Sequence, residues 1–253
     1  HRDLEVSVMN IETRLDPSQV ILELSQKNRE LKRFVYLASH DLQAPLRVIR
    51  GFIQQLGERL GPEYDPETQR LLQQVGDGAE RMSGLLKDLL DYTLLGDGDW
   101  RMQPVSCAHS LQQARADLAL EFRQCEAVFE RGEMPWVEAD SGAMRILFRV
   151  LLSNAIRFRR GSHPRIEVAS RPTQAGSLFW VRDDGIGIPQ RYHSEVFQPF
   201  RKLHTLDEYA GQGLGLTMAH RIVSRLGSKI WIESNPGFGI TVFFEIPNNK
   251  EAP

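Results

Sequence analysis

The chain has 253 residues, 41% of them hydrophobic and 25% charged, which is enough for two packed domains of ordinary size. Its 31 basic and 33 acidic residues leave a formal net charge of −2 with no strongly basic tract, arguing against nucleic acid or a polybasic membrane anchor. No apolar run approaches the roughly 20 residues that span a bilayer, and the first residues, HRDLEVSVMN, lack the apolar core of a signal peptide, so the sequence reads as cytoplasmic. The two cysteines, Cys107 and Cys125, lack a CxxC or Cys/His neighbourhood and are expected as buried free thiols.

Residues 1–17 read as the end of an input or linker helix, because Leu4, Val8, Ile11 and Leu15 fall out of phase with the later apolar repeat across Asp16-Pro17. From Ile21 the apolar residues recur in steps of three and four, as in a coiled-coil seam. Ile21, Asn28, Val35, Leu42, Ile49 and Leu56 take heptad position a, and Leu24, Leu31, Ala38, Pro45 and Phe52 take position d. Asn28 in the a row is either a register device or a local fray. In this frame His40 falls at f, pointing outward. Pro45 has no N–H, so it releases the carbonyl of Asp41 and weakens the helix beside His40, as a tolerated kink or as a hinge.

GPEYDP at 61–66 must turn the chain, with Asp65 capping a second helix that opens on Pro66 and runs to a break at 94–100. Two helices cannot close a core alone, so the seam predicts a homodimer whose two hairpins form a four-helix bundle, the alternative being that it packs on the rest of the chain. Residues 18–99 are assigned to this domain.

After Trp100 short β-like runs alternate with helices, and residues 100–253 are expected to form an α+β layer, a mostly antiparallel sheet with helices on one face. AVFERG and PWVEAD read as strands around a turn, SGAMRILFRVLLSNAIRF as a helix, and RIEVAS, SLFWVRDD, SKIWIES and ITVFFEIP as strands. Two glycine-rich loops carry the chemistry. DDGIGIP at 183–189 follows the strand SLFWV, and GQGLGL at 211–216 precedes the helix TMAHRIVSRLG. Such loops let backbone N–H groups approach a ligand, and a helix start favours phosphate. Either alone arises by chance; together they imply a nucleotide held from two sides. The arrangement is neither a dinucleotide fingerprint nor a P-loop. On the helix ending at LLSNAIRF, Asn154 offers an amide oxygen to a hard cation and Arg157, three residues on, can reach phosphate.

The order ASHDLQAPLR, LLSNAIRF, VRDDGIGIP, VFQPF, GQGLGL and GFGITVFFEIP resembles the characteristic boxes of bacterial sensor histidine kinases, from about Val20 to Pro247. The resemblance implies a dimerisation and histidine-phosphotransfer domain followed by a Bergerat-type α/β sandwich that binds ATP with Mg²⁺. It implies that His40 accepts the γ-phosphoryl group and that Asp41 holds the other ring proton. In the same way it assigns Asn154 to Mg²⁺, Asp183 to the adenine amino group, and Gly185 and Gly187 to the close turn. Arg157 stands at the place of the usual lysine. Gly211, Gly213 and Gly215 border the phosphates, and residues from about Pro189 to Ala210, with Phe197 and Phe200, form a lid. A response regulator receiver domain would take the phosphoryl group from His40. The forms HDLQxPLR and FRKLHTLDEYAGQGLGL look most like phytochrome-type kinases, which implies an upstream photosensor.

Two positions depart from the family pattern. Val150 stands four residues before Asn154, where a polar residue is usual, and Ala44 stands four after His40, where many relatives carry Thr or Asn. The first argues for a weak kinase and the second against the best-understood phosphatase mechanism. An autokinase is the primary reading; a phosphatase of the phosphorylated regulator and a non-catalytic nucleotide-binding module are the alternatives.

Overall fold

A computed structural model describes residues 17–60, 65–95, 100–201, 203 and 213–247. The early run from Leu4 to Leu15, most of the turn at 61–66 and Gly211 lie outside the described residues.

The first helix, α1 (Pro17–Leu60), runs 44 residues without interruption through Pro45. The second, α2 (Pro66–Leu94), opens as its sequence dictates. Asp65 accepts the Thr68 N–H at 2.9 Å and the Thr68 hydroxyl at 2.6 Å, and Pro66 occupies the first turn, where its missing N–H loses no bond. The helices pack through Leu46, Ala79 and Leu86, with Ser39 also buried and Ile53 lying alongside Gly76. This contact uses the row of Ser39, Leu46 and Ile53, not the heptad seam. The seam residues Ile21, Leu24, Leu31, Leu42, Ile49, Phe52 and Leu56 remain 42–64% exposed in a single hairpin, as do Leu71, Val75 and Met82 of α2.

The second part begins with elements that the sequence pattern did not announce. β1 (Gln103–Ser106) leads into α3 (Cys107–Asp117), capped by Ser106, and then into the short α4 (Ala119–Gln124). Cys107 and Cys125 are buried and unpaired, and burial pushes the Cys107 thiol up to about 12, which keeps it protonated and inert.

AVFERG and PWVEAD do supply strands, β2 (Val128–Arg131) and β3 (Trp136–Ala139), but the two do not face each other across a turn. β3 pairs antiparallel with β1 in a two-stranded sheet, while β2 pairs parallel with β4 (Arg165–Pro172). Between β3 and β4 lies α5 (Ser141–Arg157), whose first turn is capped by Asp140. β5 (Gly176–Asp183), β6 (Ile230–Ser234) and β7 (Ile240–Pro247) complete a five-stranded sheet of order β2-β4-β5-β7-β6, antiparallel except at the β2–β4 edge. The last helix, α6 (Gly215–Arg225), lies between the cavity-facing loops and β6.

The period-two pattern divides the sheet faces. Phe179 and Phe244 point to the helices and stack 5.0 Å apart, and Phe148 of α5 meets them edge-on at 6.4 and 6.1 Å. On the other face Trp231 stacks on Phe243 at 5.4 Å, and the Trp180 indole donates to Glu167. The layer of α5 and α6 on one face of a mostly antiparallel sheet matches the expected fold class.

Phe148 is fully buried at the centre of this layer. Phe148→Ala is expected to lower the unfolding free energy by about 4 kcal/mol, read by denaturant titration; a loss below about 1 kcal/mol contradicts its central place.

Candidate active site

Between α5, the end of β5 and the start of α6 lies a cavity of about 120 Å³ with mainly apolar walls, including Leu151, Val181, Ile186, Ile188, Val196, Leu216, Ile240 and Val242. One carboxylate stands in it. Asp183 ends β5 and is only 7% exposed; its Oδ1 accepts the Gly185 N–H at 2.9 Å and the Ile240 N–H at 3.3 Å. Burial raises its carboxyl to about 7, against the pull of the Gly185 and Ile240 bonds; neighbouring Asp184 adds to the rise. A buried acid surrounded by aliphatic side chains is suited to one polar contact with an otherwise flat, apolar ligand.

The glycines make that placement sterically available. A side chain on Gly185 would run into the carbonyl oxygen of Phe158, which accepts the Ile186 N–H at 3.0 Å and ties the loop to the end of α5. Gly187 has φ +73° and lies against the Asn235 carbonyl, so both its conformation and its clearance exclude a Cβ. Ser234 fastens the other side: its Oγ accepts the Ile188 N–H at 2.8 Å and donates to the Gly239 carbonyl at 2.7 Å.

Asn154 and Arg157 both line the cavity from the last turns of α5, as their spacing predicts. Gly213 and Gly215 border the opposite wall, and a Cβ on Gly215 would sit 3.4 Å from the Asn154 Oδ1. Thus α6 begins directly beside the Asn154 amide. Among the described residues no side chain caps α6, whereas Asp65, Ser106 and Asp140 cap α2, α3 and α5. Its first N–H groups are therefore available to an anion, which the partial positive charge of the helix start favours.

Phe197 and Phe200 are not brought to the cavity. Phe197 is half-buried against the core beside His220, and Phe200 is 65% exposed; Val196 supplies the wall instead. Val150 is buried in the core, so no polar group stands at that position. Sequence reading also missed Ile240, whose backbone N–H reaches Asp183, and the Phe158 carbonyl. Both act through main-chain atoms, which side-chain identity does not reveal.

His40 is not among the cavity-lining residues. It lies on the outer side of α1, its side chain 71% exposed, and its Nδ1 sits 3.2 Å from the Asp41 Oδ1. With the proton on Nδ1 held by Asp41, Nε2 carries the free lone pair. Among the described residues there is no cluster of three His, Cys, Asp or Glu side chains for a metal, and no helix long and apolar enough to cross a membrane.

A helical hairpin with an outward histidine, joined to a sheet domain with a loop-bordered acidic cavity, is the arrangement that the resemblance to sensor histidine kinases implied. Comparison with known proteins agrees. Residues 30–98 match the His Kinase A (phospho-acceptor) domain, and residues 139–250 match the histidine kinase-, DNA gyrase B- and HSP90-like ATPase family. Cyanobacterial phytochrome A of Nostoc sp. is 33% identical over 247 residues, covering 97% of this chain and 32% of the relative. The methanogenesis regulatory histidine kinase FilI of Methanothrix harundinacea is 34% identical over 227 residues, covering 89% of this chain and 25% of the relative. Full-length ShkA, crystallised with AMPPNP, shares the fold at a TM-score of 0.62 and 20% identity, over 85% of this chain and 45% of that one. The chain belongs to the sensor histidine kinases, and spans about a third or less of the length of these two curated relatives.

The raised pKa of Asp183 has a thermodynamic sign. The fold favours the protonated carboxyl, so this group lowers stability as pH rises from about 3.8 to about 7, and the full penalty holds above that window. Asp183→Asn keeps an acceptor for both N–H groups and removes the charge. Its stability relative to the parent is expected to rise across that window, by on the order of 4 kcal/mol at most. Denaturant titrations at about pH 5 and about pH 8 measure this; a variant less stable than the parent at the higher pH contradicts it.

Proposed function

We propose that this chain is an autokinase module that binds Mg-ATP in the cavity around Asp183 and phosphorylates His40. The observation that carries the reading is the pairing of that buried carboxylate with an uncapped helix start across one apolar cavity. The first suits an adenine amino group and the second suits phosphates. Gly185, Gly187, Gly213 and Gly215 keep the backbone close to the ligand, and Arg157 reaches the phosphate end. The Asn154 amide oxygen is a hard donor that fits Mg²⁺, with the remaining positions left to phosphate oxygens and water. When bound, Mg²⁺ would neutralise phosphate charge.

In the chemical step the Nε2 lone pair of His40 attacks the γ-phosphorus of ATP, the bond from that phosphorus to the β,γ-bridging oxygen breaks, and ADP leaves. Asp41 holds the Nδ1 proton, so the phosphorylated ring needs no proton from solvent. Phosphohistidine then donates its phosphoryl group to an aspartate of a response regulator receiver domain. Two copies of the chain pair through the exposed seam, Leu42, Ile49, Phe52 and Leu56 burying against their counterparts in a four-helix bundle. We assign residues 18–99 to the dimerisation and phosphotransfer domain and residues 100–253 to the ATP-binding domain, acting in the cytoplasm. The relation to cyanobacterial phytochrome A supports a photosensory input upstream.

A second reading, a phosphatase toward the phosphorylated regulator, is favoured by Val150. A buried valine stands at position 150, one turn before Asn154, and cannot assist phosphoryl transfer.

Incubation with Mg²⁺ and γ-labelled ATP is expected to give acid-labile label that is lost in both His40→Ala and Asp183→Asn. Absence of label, together with faster loss of phosphate from a prephosphorylated regulator, would support the phosphatase instead. Dimer formation is read by sedimentation: Leu42→Glu combined with Ile49→Glu is expected to halve the mass, and an unchanged mass places the interface elsewhere.

A further inference from the structure

Phe200 holds its backbone against its own preference. Its φ is +61°, a left-handed conformation that a bulky residue rarely adopts, and its ring is left mostly exposed. The surroundings impose this bend. The Phe200 N–H donates to the Gly213 carbonyl at 3.1 Å, and a Cβ on Gly213, itself at φ +71°, would sit 2.5 Å from the Arg201 carbonyl oxygen. Strain of this kind persists only where the structure around it fixes it, and its effect here is to place the next residue. Arg201 lines the cavity, and its backbone rests on Gly213, two residues before the start of α6 at Gly215. That is the end of the cavity where the helix start and the Asn154 amide lie.

The Arg201 guanidinium is held from one side. Its Nε and one Nη donate to the same carboxylate oxygen of Glu195, at 2.9 and 2.5 Å. Glu195 opens the short helical turn Glu195–Phe197, which packs on α6 with the Phe197 ring 5.7 Å from that of His220. The carboxylate is therefore a fixed anchor, and the next residue, Val196, is part of the cavity wall. These bonds occupy one edge of the guanidinium and leave the other Nη with donors for a second anion. A planar fork of this kind can bind one anion on each edge, which a lysine ammonium cannot do with the same geometry.

We propose that Arg201 is a second arginine of the phosphate site, beside Arg157, and binds phosphate oxygens of the nucleotide while Glu195 holds its guanidinium in place. The idea rests on the nucleotide site proposed above and adds to it a residue that the motifs did not assign. Arg201 touches the nucleotide; Glu195 is a positioning residue that acts through it.

The test is calorimetric binding of ATP and of adenosine to the full chain with Mg²⁺. Arg201→Gln is expected to weaken ATP about tenfold or more and to leave adenosine unchanged. Arg201→Lys, which keeps the charge without the fork, should recover part of the loss. Glu195→Ala is expected to weaken ATP by a smaller factor and to add nothing to Arg201→Gln; tighter ATP binding in Glu195→Ala contradicts the positioning role. ATP binding that Arg201→Gln leaves unaltered, or an equal loss for adenosine, overturns the assignment while leaving the nucleotide site standing. Failure of the wild type and every variant to bind ATP overturns the nucleotide reading and the assignment with it.

Discussion

A single carboxylate in an apolar cavity sets the terms for the second half of this molecule. Burying Asp183 is unfavourable unless its charge meets donors, and the chain gives its Oδ1 two backbone N–H groups, from Gly185 and Ile240. The Gly185 N–H comes so close because the loop after β5 has no side chain at Gly185 and accepts a positive φ at Gly187, and the Ile240 N–H because Gly239 before it lies against the Asp183 carbonyl, where a Cβ would clash. Ser234 then locks the loop to the β6–β7 turn. The acid, the glycines and the β7 register are one device. The sheet order, with β5 beside β7, is what places Asp183 opposite Ile240.

The helical part obeys a different constraint. Its hairpin buries little: the described core is Leu46, Ala79 and Leu86, while the apolar seam stays exposed. Such a hairpin is held by what it packs against. Part of that support is the ATP-binding domain, through Asp91 with Arg149 and the Arg221 guanidinium over the Tyr92 ring. The exposed seam remains for another apolar surface. His40 belongs to neither contact, and its outward position next to Asp41 leaves Nε2 accessible to a phosphoryl donor.

Much of this architecture was legible in the residues because the relevant constraints are local. The f position of His40 comes from seven-residue spacing, the Asp65 cap from an Asp-Pro pair, and the Asp183 loop from glycines that only a close backbone approach demands. The features that stayed hidden depend on distant partners or main-chain atoms. β2 and β3 looked like neighbours because only residues 132–135 separate them, yet β2 finds β4 across the whole of α5, a parallel pairing no short window contains. α3 and α4 carry weak apolar periodicity and are fixed by burial of Leu111, Ala114 and Phe122. Val196, not Phe197 or Phe200, reaches the cavity, because the short helical turn there points the aromatic ring to His220. The charge seam between Asp91 and Arg149 spans 58 positions, and opposite charges that far apart give no sequence signal.

The claim on which the account rests is that Asp183 is a buried, readily protonated acid whose ionised form accepts a hydrogen bond from the nucleotide base. Titration of its ¹³C carboxyl resonance by NMR, in the free chain and with ADP bound, tests it directly. The account predicts a midpoint of about 7 in the free chain that moves downward when ADP binds, with release of a proton between those two values. A midpoint near the ordinary carboxylate value of about 4 in the free chain, or one that nucleotide leaves in place or raises, would contradict it.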